Sequence, residues 1–158
     1  MRNSQADIFE KFIKLFDSAK MQDEKVRLLS CLGVSQNQEI RTKCIDFALT
    51  DKVRKQDRHC CLLSMVGAGS EGKRQLWDFV KGKFVSLKDA FGSQHLFGYV
   101  LKGSIKSFAT KKHYEEINEF FKNNTVTCER TVQQGIEEIM NNTSVLDRDG
   151  EQLINHLS

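Results

Sequence analysis

Apolar residues recur at helical spacing along nearly the whole chain, in short stripes divided by small polar joints, and no stretch alternates as a half-buried strand would. A chain patterned this way must fold by packing one-faced helices against each other. Proline is absent from all 158 residues. Average usage of about 5% would supply roughly eight, so the commonest breaker of long helical arrays is missing. Hydrophobic residues make up 39% of the chain and charged residues 28%, a balance that excludes a disordered tail. No apolar run approaches the length of a bilayer span. One domain over residues 1–158 is expected, long enough to bury roughly 70% of the surface its unfolded form exposes.

About eight helices follow from the stripes. The first carries Ile8, Phe9, Phe12, Ile13 and Phe16. Asp23 is placed to cap a second with Val26, Leu28, Leu29 and Leu32, and Gly33 to close it in a left-handed conformation. The third holds Ile40, Cys44, Ile45, Ala48 and Leu49, and ends in a tight corner at Thr50 and Asp51. Asp57 is placed to cap the fourth, with Cys61, Leu62, Met65 and Val66. Leu76, Trp77, Phe79 and Val80 mark the fifth, which Gly82 interrupts before Phe84, Leu87 and Phe91, and Gly92 stops it. The sixth, Leu96, Tyr99, Val100 and Phe108, contains Gly98 and Gly103, each costing about 1 kcal/mol relative to alanine, and a bend is expected there. Thr110 caps the seventh, with Tyr114, Ile117, Phe120 and Phe121 opposite Glu115, Glu116 and Glu119. Val132, Ile136, Ile139 and Met140 make the eighth, which Val145, Leu146, Leu153, Ile154 and Leu157 extend or follow. The fold class expected is all-α: an α-solenoid of stacked antiparallel helix pairs, like HEAT and armadillo superhelices, although no strict residue repeat is present.

Cys31, Cys44, Cys60 and Cys61 occupy apolar positions of these helices, where cysteine behaves as a small hydrophobe. The odd count of five and the absence of a Cys-x-x-Cys pair fit a reduced chain without a metal site. Net charge is +3, but residues 1–110 carry +7 and residues 111–158 carry −4. Lys52, Arg54, Lys55, Arg58, Lys73, Arg74, Lys81 and Lys83 are scattered over helix ends and solvent positions without aromatic platforms, which speaks against nucleic acid.

Three apparent chemical motifs stand out. Residues 67–74, Gly-Ala-Gly-Ser-Glu-Gly-Lys-Arg, satisfy GxGxxG and nearly satisfy GxxxxGK[ST]. A phosphate loop needs a preceding strand and a hydroxyl after the lysine, whereas a helix precedes this one and Arg74 takes the hydroxyl's place. Gly67 and Gly69 are therefore read as a helix end, Ser70 as the next cap and Lys73 as exposed. His59, His95, His113 and His156 lie far apart, none in a His-Glu-x-x-His arrangement, and no serine has a nucleophile-elbow context. No catalytic residue is assigned. Asn123, Asn141 and Asn142 meet the N-glycosylation pattern; Asn123, read as a loop residue, is the better acceptor if the chain enters the secretory pathway.

The order of elements carries a family resemblance. Phe47-Ala48-Leu49, Asp51, Val53-Arg54 and Gln56-Asp57 resemble the C-terminal helical domain of gluzincin aminopeptidases of the puromycin-sensitive and endoplasmic-reticulum type. Val26, Leu28-Leu29 and Leu32-Gly33 are similar to its leucine-glycine stop, and Trp77, Phe79, Leu87 and Phe91-Gly92 to its tryptophan helix. Phe108-Ala109-Thr110, Phe120-Phe121, Glu129-Arg130-Thr131-Val132-Gln133, Ile139, Asn142, Leu146 and Arg148-Asp149 resemble its closing segments. In register, the resemblance runs from about Asp23 to Leu157.

The resemblance implies that the chain is the C-terminal, HEAT-like part of a longer aminopeptidase, with Met1 marking a cut. Zinc and the His-Glu-x-x-His and Gly-Ala-Met-Glu-Asn motifs then belong to a separate catalytic domain of the same polypeptide. No cofactor is expected in this chain. Its implied task is to wall in the catalytic chamber and to position or length-select peptide substrates without supplying a reacting group. Family members often carry a chamber-facing basic residue on the sixth helix; the register places Tyr99 there, whose phenol has no permanent charge. Lys102, one turn on, is the partial substitute. The alternative expectation is a free-standing helical-repeat scaffold that binds partner proteins. No membrane contact is expected of this segment. The cysteines lean towards a cytoplasmic parent, the glycosylation triplets towards a secretory or membrane-anchored one, and the N-terminus lacks the charged and apolar parts of a signal peptide.

Overall fold

The computed structural model describes residues 2–157, with side chains described over residues 7–150. Among them every regular element is a helix: α1 (Arg2–Ser18), α2 (Gln22–Leu32), α3 (Gln38–Ala48), α4 (Arg58–Ser64), α5 (Gly69–Gly82), α6 (Phe84–Phe91), α7 (Gln94–Ile105), α8 (Lys111–Asn123) and α9 (Glu129–Leu157). Short 3-10 turns at Lys55–Asp57 and Met65–Ala68 flank α4. The all-α class is as expected.

Several boundaries follow local chemistry. The Thr110 hydroxyl accepts from the His113 amide at 3.3 Å to open α8, and the Ser93 hydroxyl accepts from the Leu96 amide at 3.2 Å to open α7. Gly92 stops α6 with φ +67°, a left-handed conformation that only glycine adopts without cost.

The helices pack in two rows. In one, α2 lies against α4, α4 against α7, and α7 against α9. In the other, α1 packs on α3, α3 is tied to α5 through Arg41 and Gln75, and α5 to α8 through Trp77 and Glu116. Packing of this kind is consistent with a solenoid-like all-α domain, and each helix buries an apolar face that it could not bury alone. The α1–α3 contact is aromatic: Phe9, Phe12 and Phe16 on successive turns meet the Phe47 ring edge-on at 6.4, 5.9 and 5.1 Å. Further along, Trp77 and Phe84 pack against Phe120 and Phe121.

Gly33 departs from expectation. Its φ is −76°, right-handed, and its amide donates to the Ser64 hydroxyl at 2.9 Å. Glycine is needed there for proximity, since a Cβ would meet the Ser64 hydroxyl and lie 2.8 Å from the Met65 amide nitrogen. Asp23 is inside the first turn of α2 rather than at its cap, which is Met21. Asp57 does not cap α4 with its side chain; it is buried and accepts from the Gln22 amide group at 2.6 Å. Ser70 lies within α5, behind an Ala68 cap that offers no side-chain acceptor.

Despite Gly98 and Gly103, α7 is one unbroken helix from Gln94 to Ile105, and Phe108 falls beyond it. Gly98 and Gly103 serve packing instead: a Cβ at Gly98 would sit 2.9 Å from the Cys128 Cβ, and one at Gly103 2.6 Å from a Leu63 methyl. The helix loses propensity and gains close neighbours on both sides. Cys31 is exposed and Cys60 half-buried, whereas Cys44 and Cys61 are core residues. Arg58, read as solvated, is buried, donating to the Ala90 carbonyl at 2.6 Å and the Thr50 carbonyl at 3.3 Å. Leu153, Ile154 and Leu157 lie outside the residues whose side chains are described. No helix among the described residues is long and apolar enough to cross a membrane.

Candidate functional site

Helix α7 presents Tyr99 to solvent, 51% exposed, with its ring edge-on to His59 at 5.4 Å. Close packing on the glycine side, at Gly98 and Gly103, holds the helix in place, so the phenol is displayed from a buried scaffold. Lys102 is not on offer in the same way. Its ammonium pairs with Glu138 of α9 at 2.8 Å and approaches the side-chain amide oxygen of Gln134 at 3.5 Å. Asn123 is exposed, but it is the last residue of α8 rather than a loop residue, and its amide donates to the Glu119 carbonyl at 3.1 Å. Asn142 lies within α9 and donates to the carbonyls of Lys106 and Phe108 at 2.9 and 3.1 Å, closing the end of α7.

A concavity of about 1080 Å³ lies elsewhere, between α3, α5 and the segment that enters α8. Neither Tyr99 nor Lys102 lines it. Its rim is mixed in charge, with Lys73, Arg74 and Lys112 beside Glu71 and Asp78. Arg41 forms part of its floor. That side chain is almost fully buried and donates to Gln75 at 2.7 Å and to the Ser35 carbonyl at 2.8 Å. His113 stacks on Phe108 at 4.3 Å, and burial, then the neighbouring Arg74 charge, lower its pKa below the ordinary histidine value.

Glu116 is the electrostatic centre of this face. It accepts from Arg74 at 2.9 Å, Lys81 at 2.7 Å and the Trp77 indole at 3.1 Å. Asp78 joins the network through Lys81 at 2.9 Å and Arg74 at 3.5 Å. Desolvation works to raise the Glu116 pKa, but the hydrogen bonds and charges of Lys81 and Arg74 outweigh it and hold the carboxyl at about 2. A depressed carboxylate stabilises the fold above its unfolded value of 4.5 and loses that contribution as pH falls towards 2. Allowing for solvent screening, Glu116→Gln is expected to cost about 1–2 kcal/mol at neutral pH. Urea unfolding of both proteins from pH 7 to pH 3 checks this: the gap should narrow in acid, and a gap independent of pH would rule the network out as its source.

This hub was not legible as a site in the sequence. The signal available was Arg74, Trp77, Asp78 and Lys81 at helical spacing on α5, but nothing local separates Glu116 from Glu115 and Glu119.

The glycine-rich segment 67–74 is structural. Gly67 continues the 3-10 turn, Gly69 breaks the chain direction at φ +81°, and Gly72 is buried against Met65 and Ala68. Lys73, read as exposed, is half-buried and donates to the Ser107 carbonyl at 3.3 Å. Among the described residues, no group of three His, Cys, Asp or Glu side chains is placed to hold a metal ion.

A family model described as the ERAP1-like C-terminal domain matches residues 1–141. Aminopeptidase M1-A of Oryza sativa subsp. japonica is 29% identical over 132 residues, 83% of this chain and 15% of that protein. Aminopeptidase M1 of Arabidopsis thaliana is 26% identical over the same length. Endoplasmic reticulum aminopeptidase 2 of Homo sapiens is 25% identical over 111 residues, 69% of this chain and 12% of that protein. The chain thus spans about 15% of the length of the plant relatives it matches. With its all-helical structure, that match assigns it: the chain belongs to the ERAP1-like C-terminal domain family, the domain that forms the C-terminal part of M1 aminopeptidases.

Proposed function

We propose that this chain is the noncatalytic C-terminal domain of a zinc-dependent aminopeptidase, and that it walls in the active-site chamber of its parent and positions or length-selects the peptide. The family match over residues 1–141 carries this reading. In this reading the packed helices serve as a wall, and a wall excludes water and restrains the far end of a peptide without touching the scissile bond. Zinc and the reacting groups then reside on the catalytic domain of the same polypeptide, which is this domain's principal partner.

Tyr99 is the residue proposed to meet the peptide. It is exposed on α7, and its hydroxyl offers one hydrogen bond to a terminal carboxylate. Lys102, engaged with Glu138, contributes only if that ion pair opens. Two measurements test the reading together. The purified chain should neither hydrolyse aminoacyl-coumarin substrates nor hold stoichiometric zinc. In the complete parent enzyme, Tyr99→Arg should lower KM for peptides ending in a free carboxylate several-fold, while leaving aminoacyl-coumarin turnover unchanged. Robust turnover or stoichiometric zinc in the isolated chain would overturn the noncatalytic assignment. Equal effects of Tyr99→Arg on short and long substrates would overturn the positioning role.

A further inference from the structure

Cys44 on α3 and Cys61 on α4 face one another inside the core, both fully buried, with their sulfurs 2.7 Å apart. Each thiol also reaches the other residue's backbone carbonyl, at 3.6 and 3.5 Å. The remaining cysteines stand apart from this arrangement: Cys31 is exposed, and Cys60 and Cys128 are half-buried. We propose that Cys44 and Cys61 are an oxidisable pair that becomes a disulfide joining α3 to α4 when the chain folds in the presence of a small-molecule disulfide such as oxidised glutathione.

The chemistry is ordinary thiol–disulfide exchange. One cysteine thiolate attacks a sulfur of oxidised glutathione and releases one glutathione thiolate, which takes up a proton. The second cysteine, deprotonated, then attacks the mixed disulfide and expels the other glutathione. Two protein thiols are oxidised to one disulfide, and one glutathione disulfide is reduced to two thiols. In the folded chain neither sulfur meets solvent, and hydrogen bonding to Cys44, burial and nearby charge raise the Cys61 pKa well above its ordinary value. Exchange is therefore confined to the period before α3 and α4 dock. The same burial shields the finished bond from reductants, so the redox state would record the medium in which the chain folded.

The test uses the full chain carrying Cys31→Ser, Cys60→Ser and Cys128→Ser; none of the three is fully buried, although Cys60 and Cys128 pack against the core. Refolded from denaturant in a mixture of reduced and oxidised glutathione, it should be lighter than its reduced form by two hydrogens and resist alkylation after denaturation. Its peptide map should link the segments containing Cys44 and Cys61. The oxidised chain should melt about 5 °C or more above the reduced one, because the bond restrains the unfolded ensemble. While folded, it should also lose the bond to dithiothreitol far more slowly than when unfolded. Two alkylatable thiols after oxidative refolding, or glutathione retained on either cysteine, would overturn the proposal. So would a link in the wild-type chain that persists in Cys44→Ala.

Discussion

Trp77→Ala should destabilise the domain by about 4 kcal/mol, among the largest effects of any single truncation here. Trp77 is the chain's only tryptophan and is fully buried. Its ring meets Phe120 edge-on at 5.1 Å and Phe121 at 6.0 Å, and its indole donates to Glu116. Removing it opens a cavity between α5 and α8 and takes one donor from a carboxylate that keeps Lys81 and Arg74. Trp77→Phe separates the two contributions, since it retains most of the packing and loses the donor; its cost should be about 1–2 kcal/mol. Urea unfolding followed by far-ultraviolet circular dichroism reads both variants after the fluorophore is gone. A loss below about 1 kcal/mol for Trp77→Ala would mean that α5 and α8 are not held together at this point.

Gly72→Ala tests a reversal of sign. In an open helix, glycine to alanine stabilises by about 1 kcal/mol, because alanine has less backbone freedom to lose. Gly72 lies inside α5, where a Cβ would run into the Met65 carbonyl oxygen and sit 2.7 Å from the Ala68 Cβ. The obstacle is backbone, which cannot swing aside as a side chain does. Gly72→Ala is expected to destabilise by about 2–3 kcal/mol as α5 is pushed off the turn at Met65–Ala68. Gly150→Ala in α9, where nothing lies within 4 Å, supplies the control and should stabilise slightly. Melting curves of the two variants decide the matter: parallel shifts would show that the close approach at Gly72 is not tight.

The pairing of these glycines explains where reading the sequence succeeded. Gly92 and Thr110 were legible because a left-handed stop and a hydroxyl cap are satisfied by atoms within four residues along the chain. The faces bearing Phe12, Phe16, Leu29, Leu76 and Ile117 were legible because helical period alone brings such residues to one side. Gly33 was misread because glycine has two uses. A stop and a close approach look identical in sequence, and only the position of Ser64, thirty-one residues on, distinguishes them. Asp57 was read as a cap for the same reason, and its actual partner, Gln22, is thirty-five residues away.

The functional side divides along the same line. Membership of the family was legible because the order and separation of Phe47, Trp77, Phe91 and Glu129-Arg130-Thr131 survive in a linear string. The environment of the two candidate residues was not. Tyr99 and Lys102 are one helical turn apart, yet one is displayed to solvent and the other is held by Glu138.

Periodicity, caps and turn residues are short-range, and from them the residues of this chain already specify helices, some of their ends such as Gly92 and Thr110, and the stripes that must be covered. Which stripe covers which, and therefore that Glu116 serves Trp77, that Arg41 is buried beneath Gln75, and that Cys44 meets Cys61, emerged when the helices docked. Each of those contacts joins residues separated by seventeen or more positions. Their meeting depends on every intervening corner and packing angle at once, and no local stretch of sequence carries that information.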